Sequence, residues 1–92
     1  MSNTEEPFLR VSGGTPIQGV AQAIAHAIEA KGEVSLRAIG ASAVNQTNKG
    51  LAVARGYVAQ RGGDLWWCSG FVNVEGRDGT TISAMVFKAK CL

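Results

Sequence analysis

The sequence predicts an α/β protein, more narrowly an α+β two-layer sandwich in which a four-stranded mixed sheet carries two helices on one face. Three observations point there. Short runs of alternating apolar and polar residues are separated by two longer segments with apolar residues at helical spacing. Glycines stand at most changes of period. The chain then closes on two β-rich runs joined by Glu75-Gly76-Arg77-Asp78-Gly79, the pattern of a hairpin.

Pro7-Phe8-Leu9-Arg10-Val11-Ser12 alternates as a strand does, and Gly13-Gly14 ends it. Thr15-Pro16-Ile17-Gln18 reads as a helix start, with Thr15 as cap, Pro16 where an N–H is dispensable and Gln18 closing a capping box. Ile17, Val20, Ala21, Ile24, Ala27 and Ile28 fall on one face of this helix, opposite Gln18, Gln22, His26 and Glu29, and Gly32 stops it. Glu33 to Ile39 alternates again, with Val34, Leu36 and Ala38 on one side and Ser35, Arg37 and Ile39 on the other. Gly40 ends that strand. A second helix is expected from about Ser42 to Val58, burying Ala43, Thr47, Leu51, Ala54 and Val58 and exposing Asn45, Asn48, Lys49, Ala52 and Arg55. Gly50 inside it costs about 1 kcal/mol against alanine. After the loop Arg61-Gly62-Gly63-Asp64, strands are expected over Leu65 to Val74 and Thr80 to Lys90.

Right-handed crossovers between parallel strands put both helices on one face of so small a sheet. Leu9, Val11, Val34, Leu36 and Ala38 then point to the helices, and Arg10, Ser12, Ser35 and Arg37 to solvent. The hairpin strands differ, because Leu65-Trp66-Trp67-Cys68 and Ala84-Met85-Val86-Phe87 are apolar on both sides. Trp66, Cys68, Met85 and Phe87 are therefore expected to form a homodimer interface.

A chain of 92 residues builds one core, so a single domain is expected over residues 7–92 behind a flexible acidic tail, residues 1–6. With 46% hydrophobic and 17% charged residues the chain is expected to fold. No apolar run approaches a membrane span, and the polar, acidic start is unlike a secretory leader, so a cytoplasmic protein is expected. Cys68 and Cys91 fit free thiols, and with only His26 beside them no metal set is expected. No catalytic constellation, GxGxxG or phosphate-loop pattern is present, which predicts a protein that is not an enzyme and needs no cofactor. From Pro7 onward nine Lys and Arg face five acids, a body charge of +4 that permits a polyanionic partner without demanding one.

The stretch Arg37-Ala38-Ile39-Gly40-Ala41-Ser42-Ala43-Val44-Asn45-Gln46, continued by Lys49 and by Leu51-Ala52-Val53-Ala54-Arg55-Gly56-Tyr57-Val58-Ala59, resembles the stage V sporulation protein S family, a bacterial branch of the Alba-like proteins. Leu9-Arg10-Val11-Ser12 and the run from Asp64 to Phe71 fit it more loosely. The resemblance implies a small homodimer or higher homo-oligomer of Alba-like fold that binds DNA or RNA through backbone charge and shape. In spore formers it implies a regulatory or structural role in late spore development and cell division. Arg37, Asn45, Gln46, Lys49 and Arg55 stand at matching positions, while Ser12-Gly13-Gly14-Thr15 replaces a loop that carries lysine in Alba relatives, and Thr47-Asn48 replaces an apolar pair.

In the derived layout both helix starts emerge at one edge, so Gly13, Gly14, Gly40, Ala41 and Ser42 form candidate anion-binding loops. Asn45, Gln46, Lys49 and Arg55 are candidates for phosphate and base or sugar contacts. Arg77 at the hairpin tip, followed by Lys88 and Lys90, is expected to carry positive charge along an arm, diluted by Glu75 and Asp78. Trp66 and Trp67 must face opposite ways, so at most one is free to contact a partner. The competing reading is a protein-interaction module that uses the same dimer without nucleic acid.

Overall fold

The computed structural model describes residues 7–92, so the acidic tail expected at residues 1–6 lies outside the described residues. The element order is β1 (Leu9–Val11), α1 (Ile17–Lys31), β2 (Glu33–Ala38), α2 (Ala41–Gln60), β3 (Leu65–Glu75) and β4 (Thr81–Cys91). One four-stranded sheet runs in the order β1-β2-β4-β3, with β1 parallel to β2 and the other pairs antiparallel. The α+β two-layer sandwich of the sequence reading is the fold observed.

Helix α2 buries the stripe its sequence marks, and α1 buries the centre of its stripe while Ile17 and Ala27 are half-buried. Val20, Ala21, Ile24 and Ile28 of α1 and Ala43, Leu51, Ala54 and Val58 of α2 join Val11, Leu36, Ala38, Leu65, Phe87 and Ala89 of the sheet in one apolar cluster. Thr47 is fully buried within α2, and its hydroxyl donates to the Ala43 carbonyl at 2.8 Å, so the polar group in the core is satisfied. The two helices approach closely at Gly50, where a Cβ would stand 2.4 Å from Val20 Cγ1. That glycine permits the helix packing, and its propensity cost is offset there.

Two local expectations are corrected. Thr15 does not cap α1, whose cap position is Pro16 with no side-chain bond. Its hydroxyl instead accepts the Ser12 N–H at 3.0 Å and lies 2.9 Å from the Ser12 hydroxyl, closing a tight turn around Gly13-Gly14. The larger correction concerns Phe87. Register sets it opposite Leu36 of β2, on the helix-facing side, and it is 2% exposed, so it is a core residue and not part of an outward interface. Met85 faces the same way, opposite Ala38, and is half-buried against the core, whereas Trp66 and Cys68 point to the other face and are exposed. The four residues therefore do not share one surface.

The last β2–β4 pair is Ala38 with Met85, beyond which β3 and β4 pair only with each other as far as Glu75 and Thr81. An arm of about four residue pairs, roughly 13 Å long, thus projects beyond the end of β2 from which α2 departs.

Candidate nucleic-acid interface

The starts of α1 and α2 are brought side by side. A Cβ on Gly13 would stand 2.7 Å from Ser42 Cβ, so the turn before α1 rests directly on the first turn of α2. The Gln46 side-chain amide donates to the Thr15 carbonyl at 2.8 Å and ties the two starts together. Neither helix has a side-chain cap bond or an acidic residue in its first turn. The amides of both first turns thus concentrate partial positive charge at one end of the molecule, with no carboxylate in either first turn to neutralise it. Gly14, Gly40, Ala41 and Ser42 are exposed around this end, as is Asn45. Lys49 is exposed further along α2, about 12 Å from the helix start.

The hairpin arm leaves the same end of the sheet and carries Arg77 at its turn. Asp78 accepts the Thr80 hydroxyl at 2.6 Å and the Thr80 amide at 3.2 Å, bonds that hold its carboxyl below the ordinary carboxylate range. The aspartate is ionised and shapes the turn. With Glu75 it gives the tip two carboxylates around a single cation, so the helix starts, and not the tip, are the main source of positive potential at this end.

The remaining candidates lie elsewhere. Arg55 is exposed, as its helical position predicts, but its Nε donates to Asp64 Oδ1 at 3.2 Å. Asp64 also accepts the Trp66 indole N–H at 2.8 Å, and that bond, with the Arg55 contact behind it, holds the Asp64 carboxyl below its ordinary range. Arg55 therefore sits at the closing end of α2 as an ion-pair residue. Arg37 lies on the sheet face turned away from the helices, with its guanidinium 4.1 Å from the centre of the Phe8 ring and Arg10 at 5.7 Å from the same ring. Lys88 and Lys90 pair in register with Ser35 and Glu33 at the end of the sheet far from the arm, so they do not extend charge along it.

The structure thus gathers Gly13, Ser42, Asn45, Gln46 and Lys49 with the base of the arm, and separates Arg37 and Arg55 from them. Gln46 is a tether more than a contact, and nothing in its local sequence signals that bond, whose partner lies 31 positions earlier. A second such tether, the Tyr57 hydroxyl donating to Gln18 at 2.9 Å, joins the helices and was equally silent in the sequence. Among the described residues no group of three or more His, Cys, Asp or Glu is placed to hold a metal ion, and no helix is long and apolar enough to cross a membrane.

The family model described as Stage V sporulation protein S (SpoVS) matches residues 7–91. Among solved structures, Alba from Thermoplasma volcanium is similar in fold, with a TM-score of 0.62 at 11% sequence identity, over 91% of this chain and 99% of that one.

Proposed function

Because the chain belongs to the stage V sporulation protein S family, we propose that it binds nucleic acid as a homodimer, through backbone charge and shape and without reading sequence. The observation that carries this reading is the pair of uncapped helix starts in contact at one end, free of first-turn acids and followed by exposed Asn45 and Lys49. The Alba-like fold supports a nucleic-acid role in general terms. The finer proposal is a cytoplasmic protein with a regulatory or structural part in spore development or cell division.

A second copy has apolar surface to cover at the base of the arm, where Phe71 is 79% exposed and pairs in register with half-buried Met85. A dimer doubles the number of helix starts available to one polyanion. Sedimentation at micromolar concentration is expected to return twice the chain mass, and a monomer there removes the dimer from the proposal.

The binding test is a titration of generic duplex DNA and single-stranded RNA at two salt concentrations. A few phosphate contacts per dimer predict an affinity loss of at least about tenfold between about 50 and 200 mM salt. Absence of salt-sensitive binding at micromolar protein overturns this reading in favour of a protein-interaction module.

A further inference from the structure

Among the described residues no layer covers the sheet face turned away from the helices, and the charge that its strands carry is one-sided. Strand alternation puts Arg10, Arg37, Lys88 and Lys90 on this face, against Glu33 alone among the acids of the four strands' outward positions. Arg10 and Arg37 are direct partners in the β1–β2 register, an arrangement of like charges that is unfavourable by itself. Phe8 lies against both guanidiniums, which supplies part of the compensation. At the other edge Trp66 is 59% exposed, with its indole N–H held by Asp64 at 2.8 Å. A depression of about 910 Å³ is lined by Ser35, Trp66, Lys88 and Lys90 of this face together with His26 and Lys31 of α1.

A second copy is a poor occupant. A two-fold dimer through this face sets the same four cations against themselves, with Glu33 and the Trp66-bonded Asp64 the acids on or beside it among the described residues. A duplex fits the charge but not the aromatics, because its bases are already stacked and offer no free face to Trp66. A single strand satisfies both, since its phosphates meet the cations while an unpaired base stacks on an exposed ring or on an arginine plane. Trp66 supplies one platform. The Arg37 guanidinium, over the Phe8 ring at 4.1 Å from its centre, supplies the other.

We infer that the open sheet face is a second binding surface, separate from the helix starts, for single-stranded nucleic acid, with Trp66 and the Phe8-backed Arg37 as stacking platforms and Arg10, Lys88 and Lys90 as phosphate contacts. Its ligand chemistry, a flexible phosphodiester strand with unstacked bases, is shared by RNA and single-stranded DNA.

The test titrates the full chain with oligo(U), oligo(dT) and a duplex, each about 12 units long, a length within the site sizes of single-strand binders. Both oligonucleotides are expected to quench tryptophan fluorescence, and quenching should persist in Trp67→Phe, because Trp67 packs on the helix-facing side. Trp66→Ala should weaken oligonucleotide binding at least about fivefold and leave duplex binding at wild-type strength. Tighter binding of oligo(U) assigns the site to RNA, and tighter binding of oligo(dT) to DNA. Arg10→Ala, a change at an exposed position, should also weaken the oligonucleotides selectively and serves if Trp66→Ala is poorly folded. Absent quenching at saturation, wild-type oligonucleotide affinity in folded Trp66→Ala or Arg10→Ala, or an equal loss for duplex and single strand overturns the inference. Failure of duplex binding alone overturns the helix-start reading and leaves this surface standing.

Discussion

The two ends of α2 carry the same kinds of residue in different surroundings. At its start no acid stands in the first turn and the neighbouring helix start adds its own amides, while Lys49, about 12 Å along, takes part in none of the described ion pairs. At its close Arg55 is bonded to Asp64, and Arg61 is paired with Glu29 of α1. Both ends are exposed, and both contribute to the same body charge. The contrast teaches that a count of cations measures potential partners, whereas the acids folded beside them decide which cations remain available to a polyanion.

The most severe way to break this contrast is to dissolve the packing that holds the helices over the sheet. Phe87→Ala empties a buried aromatic site and is expected to cost about 3–5 kcal/mol, read as a lower denaturant midpoint, with loss of both ends together. A Phe87 variant that keeps wild-type stability and alters only association would return that residue to an interface. Gly50→Ala comes next, because the added methyl meets Val20 Cγ1 at 2.4 Å and the helix pair must separate. Its expected cost is about 1–3 kcal/mol, despite the better helix propensity of alanine. A stabilised Gly50→Ala would show that propensity outweighs the close approach.

Those residues also mark where the sequence stopped speaking. The element order, both helical stripes and the inward set of β1 and β2 were legible because alternation and helical spacing carry direction. Phe87 was not, since Ala84-Met85-Val86-Phe87 is apolar at every position and only pairing with Leu36 reveals its side. Gly50 read as a cost because its neighbour Val20 belongs to another helix. Lys88 and Lys90 read as part of the arm because a hairpin's own sequence does not say how far it outruns the next strand. Of the candidate site, the adjacency of the two helix starts was visible from topology. The tether from Gln46 and the capture of Arg55 by Asp64 were not, because the first depends on a partner 31 positions away and the second on one across a loop.

Single substitutions on α2 sharpen the contrast with smaller effects. Lys49→Ala should weaken duplex binding about fivefold, roughly 1 kcal/mol, and lower the salt slope by about one. Arg55→Ala should leave the affinity within about twofold and lower stability by no more than about 1 kcal/mol, as expected for an exposed ion pair. Equal losses in the two variants would mean that the Arg55–Asp64 pair opens on binding.

The smallest effect is a pH dependence at the closing end. The Trp66 indole N–H, and then Arg55, favour ionised Asp64 in the folded chain, so its carboxyl titrates lower there than in the unfolded chain. In the interval between the two values the unfolded chain binds more protons. The contribution is therefore complete above the ordinary carboxylate range and is lost as pH falls through the folded value. Asp64→Asn should flatten this acid-side loss in a denaturant series across pH, and an unchanged slope would show that the Asp64 bonds do not survive in solution.

The central claim is that the end where both helices begin receives the polyanion, and backbone amide shifts during titration with a short generic duplex test it most directly. The largest changes are expected at Gly13, Gly14, Ala41, Ser42 and Asn45, with Arg77 following, and little movement at Arg55, Arg61 or Asp64. Shifts concentrated at the closing end of α2, or none at saturating duplex, would contradict it.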